Sequence, residues 1–164
     1  MLAQLLDMYA HELCAFVEVK FGSDGRFRYP ELSLYWSESV RHPFLLTRES
    51  KLAGFALVQQ TSQSRKTIPV WDMAEFFVLP EFRLRGIGRT AAHRIWDRFP
   101  GSWQVRVMES NLPGLLFWEK AILDYAGERI SKVEVMIKGL RWRRFSFEVD
   151  AVADPSDSRI PSTT

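Results

Sequence analysis

The run from Phe76 to Thr90, Phe-Phe-Val-Leu-Pro-Glu-Phe-Arg-Leu-Arg-Gly-Ile-Gly-Arg-Thr, restricts the fold of this chain more than any other segment. Apolar, β-prone residues stop at Pro80, a loop carrying Arg83, Arg85, Gly86 and Gly88 follows, and helical spacing then sets in with Ala91, Ala92, Ile95, Trp96 and Phe99 before Pro100 and Gly101 end it. A strand that feeds a helix through an arginine- and glycine-bearing loop is anion-binding architecture. The first amides of a helix lack internal partners and carry the positive end of its dipole, and glycine lets a phosphate approach the bare backbone. Arg83, Arg85 and Arg89 would add charge-assisted bonds.

The rest of the chain supplies the elements for a mixed α/β sheet. Leu2, Leu5, Leu6, Tyr9, Ala10, Leu13 and Val17 recur at helical spacing and predict an amphipathic helix from about Leu2 to Val19. Residues Glu31 to Val40 read as a short second helix or ordered loop carrying Tyr35 and Trp36. Pro43 to Thr47 and Lys51 to Gln60, separated by Arg48, Glu49 and Ser50, have the pattern of an antiparallel hairpin. After a polar loop at Thr61 to Lys66 come a strand at Trp71 to Leu79, a helix at Gly88 to Phe99 and a short strand at Trp103 to Met108. A helix from Asn111 to about Leu123 comes next, with Asn as cap and Pro113 in the first turn. Strands at Arg129 to Ile137 and Arg141 to Val149 turn at Lys138 and Gly139. This order predicts one domain over residues 1–149, a mixed α/β sheet rather than regular βαβ alternation, and a disordered tail from Asp150 to Thr164.

Composition excludes several classes. No apolar run approaches the ~20 residues that cross a bilayer, and the N-terminus, with Asp7, His11 and Glu12, does not resemble a signal peptide, so a cytoplasmic location and no membrane partner are expected. Cys14 is the single cysteine, which excludes an internal disulfide and predicts a core residue in a reducing compartment. His11, His42 and His93 show no metal-ligand spacing, and no metal is expected. Net charge is only +2, but 16 of the 22 basic residues are arginine, clustered at residues 83–98 and 141–144. Arg141, Arg143 and Arg144 alternate with Trp142 and Phe145, a pattern that fits an exposed strand face beside a buried one better than a nucleic-acid stripe.

Two nucleotide motifs compete for the glycine loop. Gly86-Ile87-Gly88-Arg89-Thr90-Ala91 satisfies G-x-G-x-x-A, with Glu109 near the place of a ribose-binding acid. In the dinucleotide fold, however, those glycines turn directly at the strand end, whereas Pro80 to Arg85 intervene here, and too few strands remain after the loop. The Walker pattern fails because no G-K-S or G-K-T follows the loop.

Arg83-x-x-Gly86-x-Gly88 resembles the acyl-CoA pyrophosphate loop of the GNAT N-acetyltransferase superfamily. Glu75 to Arg83 resembles that family's fourth strand and its exit, and Asn111 to Lys120, about 23 residues after Gly88, resembles its later Asn, Ala, Phe-Tyr segment. The resemblance implies a GNAT-like acyl-CoA N-acyltransferase fold, an α/β fold with a mixed, mostly antiparallel central sheet and flanking helices, and acetyl transfer from acetyl-CoA to a primary amine, here expected on a small molecule rather than a peptide. The reaction would be direct attack through a tetrahedral intermediate. It implies pyrophosphate contacts from Arg83, Arg85, Gly86, Ile87, Gly88, Arg89 and Thr90, pairing of the pantetheine arm with Phe76, Phe77 and Val78, and further contacts from Asn111, Gly114 and Phe117. The Val78 amide would be the oxyanion donor.

The attacking amine must be neutral, and deprotonating a lysine-like amine of pKa about 10.4 at pH 7 costs about 4.6 kcal/mol. Glu75 is the expected base, acting through water, and Glu75→Gln should lose turnover mainly at low pH. The family's usual proton-donating Tyr is replaced by Trp118, and Tyr125 stands two helical turns away. Three answers stay open: help from water, Tyr35 reaching in from the N-terminal part, or weak catalysis. Tyr35 and Trp36 are also candidates for an aromatic wall around a cationic amine. A CoA-binding module with little catalysis and an arginine-dependent nucleic-acid binder are the alternatives, and a homodimer is left open.

Overall fold

A computed structural model describes residues 1–61 and 68–151. Its elements run α1 (Leu2–Leu13), α2 (Leu34–Ser37), β1 (Arg41–Arg48), β2 (Lys51–Thr61), β3 (Val70–Val78), α3 (Ile87–Arg98), β4 (Gly101–Met108), α4 (Leu112–Ala126), β5 (Ile130–Ile137) and β6 (Leu140–Val149). The six strands form one sheet in the order β1-β2-β3-β4-β6-β5, antiparallel throughout except for the β3–β4 pair. The mixed sheet expected from the element order, mostly antiparallel as the resemblance implies, is therefore the observed one. Its tight hairpins turn on residues with positive φ, Glu49 and Ser50 between β1 and β2 and Lys138 and Gly139 between β5 and β6. That geometry matches the twist of the strands it joins. Most of the loop expected at 61–66 and of the tail at 150–164 lies outside the described residues.

Alternation along the strands divides the interior in two. On β2, Ala56 and Val58 face a core built with Ala92, Ile95 and Trp96 of α3 and Trp118, Ala121 and Ile122 of α4. Phe55 and Leu57 face the opposite side, where Leu5 and Leu6 of α1 and Tyr35 of α2 pack. Burying a Phe or Leu side chain stabilises by about 1.5–3 kcal/mol, so both faces of the central strands contribute heavily. Gly54 permits the close β2–β3 approach: a Cβ there would lie 2.1 Å from the Phe77 carbonyl oxygen.

Two local expectations are corrected. Helix α1 ends at Leu13 rather than near Val19, because the run Phe16-Val17-Glu18-Val19 is aromatic and β-branched and loses side-chain freedom in a helix. Cys14 is exposed at that helix end, not in the core, and its thiol donates to the Ala10 carbonyl at 3.3 Å. The short second helix or ordered loop expected at Glu31 to Val40 is a single helical turn, and the flanking Glu31 and Glu38 hold Arg41 of β1 at 2.7 Å each.

Candidate active site

The sheet opens where the loop motif predicts a ligand. β3 and β4 pair only from Trp71–Trp103 to Met73–Val105, after which they diverge, while β3 stays paired with β2 out to Val78. One edge of β3 is therefore left without a strand neighbour, making a fork. Asp72 and Arg106 pin it near its apex: Arg106 Nη2 donates to Asp72 Oδ2 at 2.7 Å, and Asp72 is fully buried.

A bulge in β3 sets the side chains around the fork. Leu57 pairs with Glu75 and Val58 with Met73, which leaves Ala74 as an extra residue. A bulge re-aims the side chains beyond it. Met73 and Phe76 pack against the α3–α4 core, whereas Phe77 belongs to the α1 side. Beyond the bulge, the Leu79 N–H donates to Ala53 on β2 at 2.8 Å. Since strand amides alternate in direction, the N–H groups of Phe76 and Val78 point away from β2, into the fork. The Val78 carbonyl on that side accepts from Arg83 Nε at 2.8 Å.

A cavity of about 600 Å³ fills the fork. Its floor is Phe76, Phe77 and Val78; its far wall is Asn111, Gly114 and Phe117; its mouth is Arg83, Gly86, Ile87, Gly88 and Arg89. Gly86 takes φ 76° at the N-cap of α3 and no side chain caps this helix, so the Ile87, Gly88 and Arg89 amides have no helical or side-chain partner there. A Cβ on Gly88 would press to 3.1 Å from the Phe117 ring and 3.4 Å from Val78 Cγ2, which explains a glycine at that position. Asn111 Oδ1 accepts from the Gly114 N–H at 3.0 Å, capping α4, and its amide group keeps its donors. A Cβ on Gly114 would lie 2.6 Å from that amide, so this glycine makes room for the cap.

The remaining expected residues are placed differently. Arg85 and Thr90 line a second cavity of about 410 Å³ between β1 and α3, together with Arg48, Arg94 and Arg98. Arg83 also holds Glu12 of α1 with Nη2 at 2.7 and 2.9 Å, tying α1 to the rim of the fork. Arg89 pairs with Asp124 at 2.9 Å. Tyr35 lines neither cavity; its hydroxyl is buried with no hydrogen-bond partner, burial pushes its pKa up to about 12, and Trp36 is exposed. Trp118 is buried against Phe76 and Phe117. Arg143 pairs with Glu109 at 2.8 Å, while Phe145 on the same strand is buried. His93 bonds the Ala121 carbonyl at 2.9 Å, and among the described residues no group of three or more His, Cys, Asp or Glu gathers as a metal site. No helix among them is long and apolar enough to cross a membrane.

Glu75 does not line the cavity. Its carboxyl accepts a hydrogen bond of 2.6 Å from Tyr9 of α1, which does. Burial pushes the Glu75 pKa up to about 7; the Tyr9 and Tyr29 hydroxyls pull it down, Asp72 raises it and Arg106 lowers it. Tyr9 and Leu13 of α1, with Phe16 just past its end, form a further wall of the cavity. The spacing of Tyr9 and Leu13 shows in the sequence as one helix face, but nothing local says that this face borders a cleft.

The family model described as Acetyltransferase (GNAT) family matches residues 5–122. Among solved structures, a GNAT-family protein from Desulfovibrio desulfuricans is similar with TM-score 0.61 and 16% identity, over 89% of this chain and 92% of that one. The Escherichia coli ribosomal-protein-alanine N-acetyltransferase has TM-score 0.53 and 16% identity, over 79% and 83%. A spermidine N-acetyltransferase chimera from Vibrio cholerae has TM-score 0.54 and 14% identity, over 86% and 88%. No curated protein matches the sequence. The likeness to these solved structures carries the fold, the family model carries the kinship, and the chain belongs to the GNAT acetyltransferase family.

Proposed function

We propose that this protein is an acetyl-CoA-dependent N-acetyltransferase acting on the primary amine of a small molecule. The observation that carries the reading is the fork: the unpaired edge of β3 opens into one cavity with the uncapped amides of α3 and the free amide donors of Asn111. A linear ligand with a diphosphate at one end and amides along an arm meets complementary groups at each place. The cradle under Gly88, which a single Cβ would crowd, fits such a group as well.

When bound, acetyl-CoA supplies an activated thioester. The chain's own residues do the rest. The Ile87, Gly88 and Arg89 amides would hold the diphosphate, with the Arg85 guanidinium near the turn. Val78 N–H points into the fork and can donate to an oxygen that gains negative charge as the amine attacks. Glu75, with a pKa near neutrality, is ionised enough at pH 7 to take a proton and basic enough to hold it. The wall of Tyr9, Leu13 and Phe16 favours an amine on a compact apolar or aromatic body over an extended peptide, which would need backbone partners.

A second reading, a CoA-binding module with little turnover, is favoured by Trp118, since indole offers no useful acid where the family usually has a phenol. Release of free thiol from acetyl-CoA with a panel of small amines decides between them. Amine-dependent release supports the enzyme. CoA binding without release from any amine supports the module.

A further inference from the structure

Glu75 is the basic group beside the fork, yet it does not open on the cavity, so a proton must reach it through something else. Tyr9 stands between them. It lines the cavity, and its hydroxyl donates to Glu75 Oε2 at 2.6 Å. Packing fixes the ring, with Phe55 edge-on at 84° and Phe77 tilted, each with centroids 5.7 Å away. The phenol is therefore held in place before any ligand arrives.

We propose that Tyr9 is the proton relay between the cavity and Glu75. The inference rests on the acetyltransferase reading above. As the amine nitrogen forms its bond to the acetyl carbon, its N–H proton passes to Tyr9 Oη while the Tyr9 hydroxyl proton passes to Glu75 Oε2. The phenol gives one proton and takes one, Glu75 gains one, and the amine loses one. When the carbon–sulfur bond breaks, the reverse shift returns a proton to the departing thiolate, so the protein ends as it began.

The surroundings suit a relay rather than an ionising acid. Burial and the neighbouring Glu75 raise the Tyr9 pKa well above the usual phenol value, so it stays protonated. The groups that act on Glu75 are Tyr9 of α1, Tyr29 of the segment before α2, Tyr35 of α2, Asp72 of β3 and Arg106 of β4. Of these, Tyr9 alone lines the cavity.

The test is Tyr9→Phe, which keeps the ring packing, compared with Glu75→Gln and the double variant. Removing a general acid–base group costs about 10²–10⁴-fold in rate. The relay predicts a loss in that range for each single variant and little further loss in the double, because the two act as a unit. CoA-induced thermal stabilisation should be unchanged in all three. Independently of activity, carboxyl NMR should show the Glu75 titration moving upward in Tyr9→Phe, since the donated hydrogen bond holds it down. Tyr9→Phe within threefold of wild-type turnover, losses that multiply in the double variant, or an unmoved Glu75 titration would each overturn the relay. A wild type that binds CoA but releases no thiol with any amine would overturn the enzymatic reading instead.

Discussion

At the scale of single residues, the site depends on groups whose neighbours leave them little freedom. Glu75 ionises near pH 7 instead of near 4.5 because burial disfavours its charge. A carboxyl with a raised folded-state pKa stabilises the fold fully below its unfolded pKa, and that contribution fades as pH rises through the folded value. Stability should therefore fall between about pH 4.5 and 7, by on the order of 3 kcal/mol from this group. In Glu75→Gln that fall should be absent, as urea denaturation at each pH would show; parallel pH curves for the two proteins would refute it. Gly54→Ala makes a harsher demand, placing a Cβ 2.1 Å from the Phe77 carbonyl oxygen. A loss of more than about 2 kcal/mol is expected, on the scale of overpacked sites, and a variant as stable as wild type would contradict the β2–β3 spacing. The glycines and arginines of the loop were legible in the sequence, because their chemistry is local. Tyr9 was not: it stands 66 residues from Glu75 along the chain, and only folding brings the two together.

At the scale of elements, strands and helices were legible by periodicity, while their ends and pairings were not. The hydrophobic spacing of α1 runs past Leu13, and only the β-branched run after it explains the early stop. The bulge at Ala74 leaves no mark in the sequence, yet it lets Met73 and Phe77 serve opposite faces of the sheet. The divergence of β3 from β4 is equally silent, since strand pairing is a non-local property. It has an energetic signature, though. Asp72 is fully buried and its charge is met by Arg106 from the other arm of the fork. Arg106→Leu should cost about 3–5 kcal/mol, because it strands a buried carboxylate. Asp72→Asn in that background should recover part of the loss. If Arg106→Leu alone changes stability by less than about 1 kcal/mol, the pair does not hold the apex.

At the scale of the whole molecule, the sheet separates two cores and opens at one place, where both meet. Phe76 belongs with the α3–α4 side and Phe77 with the α1 side, and both line the cavity. Helix α1 is tied to the end of β3 at the rim by Arg83, which grips Glu12 and the Val78 carbonyl together. Partly exposed, this pair is worth about 1 kcal/mol or less to global stability. Its effect should be local: Arg83→Ala should raise amide hydrogen exchange in α1 while exchange in β5 and β6 stays as it was, and uniform exchange changes would contradict that role. The most direct measurement of the central claim is thermal unfolding with and without CoA. A ligand bound in the fork at 100 times its dissociation constant stabilises by about 2.7 kcal/mol, a rise of roughly 5–10 °C for a chain of this length. That rise is predicted for the wild type and should be much reduced in Gly88→Val, which fills the cradle beneath Phe117. No shift with CoA at millimolar concentration, or an equal shift in Gly88→Val, would contradict the account.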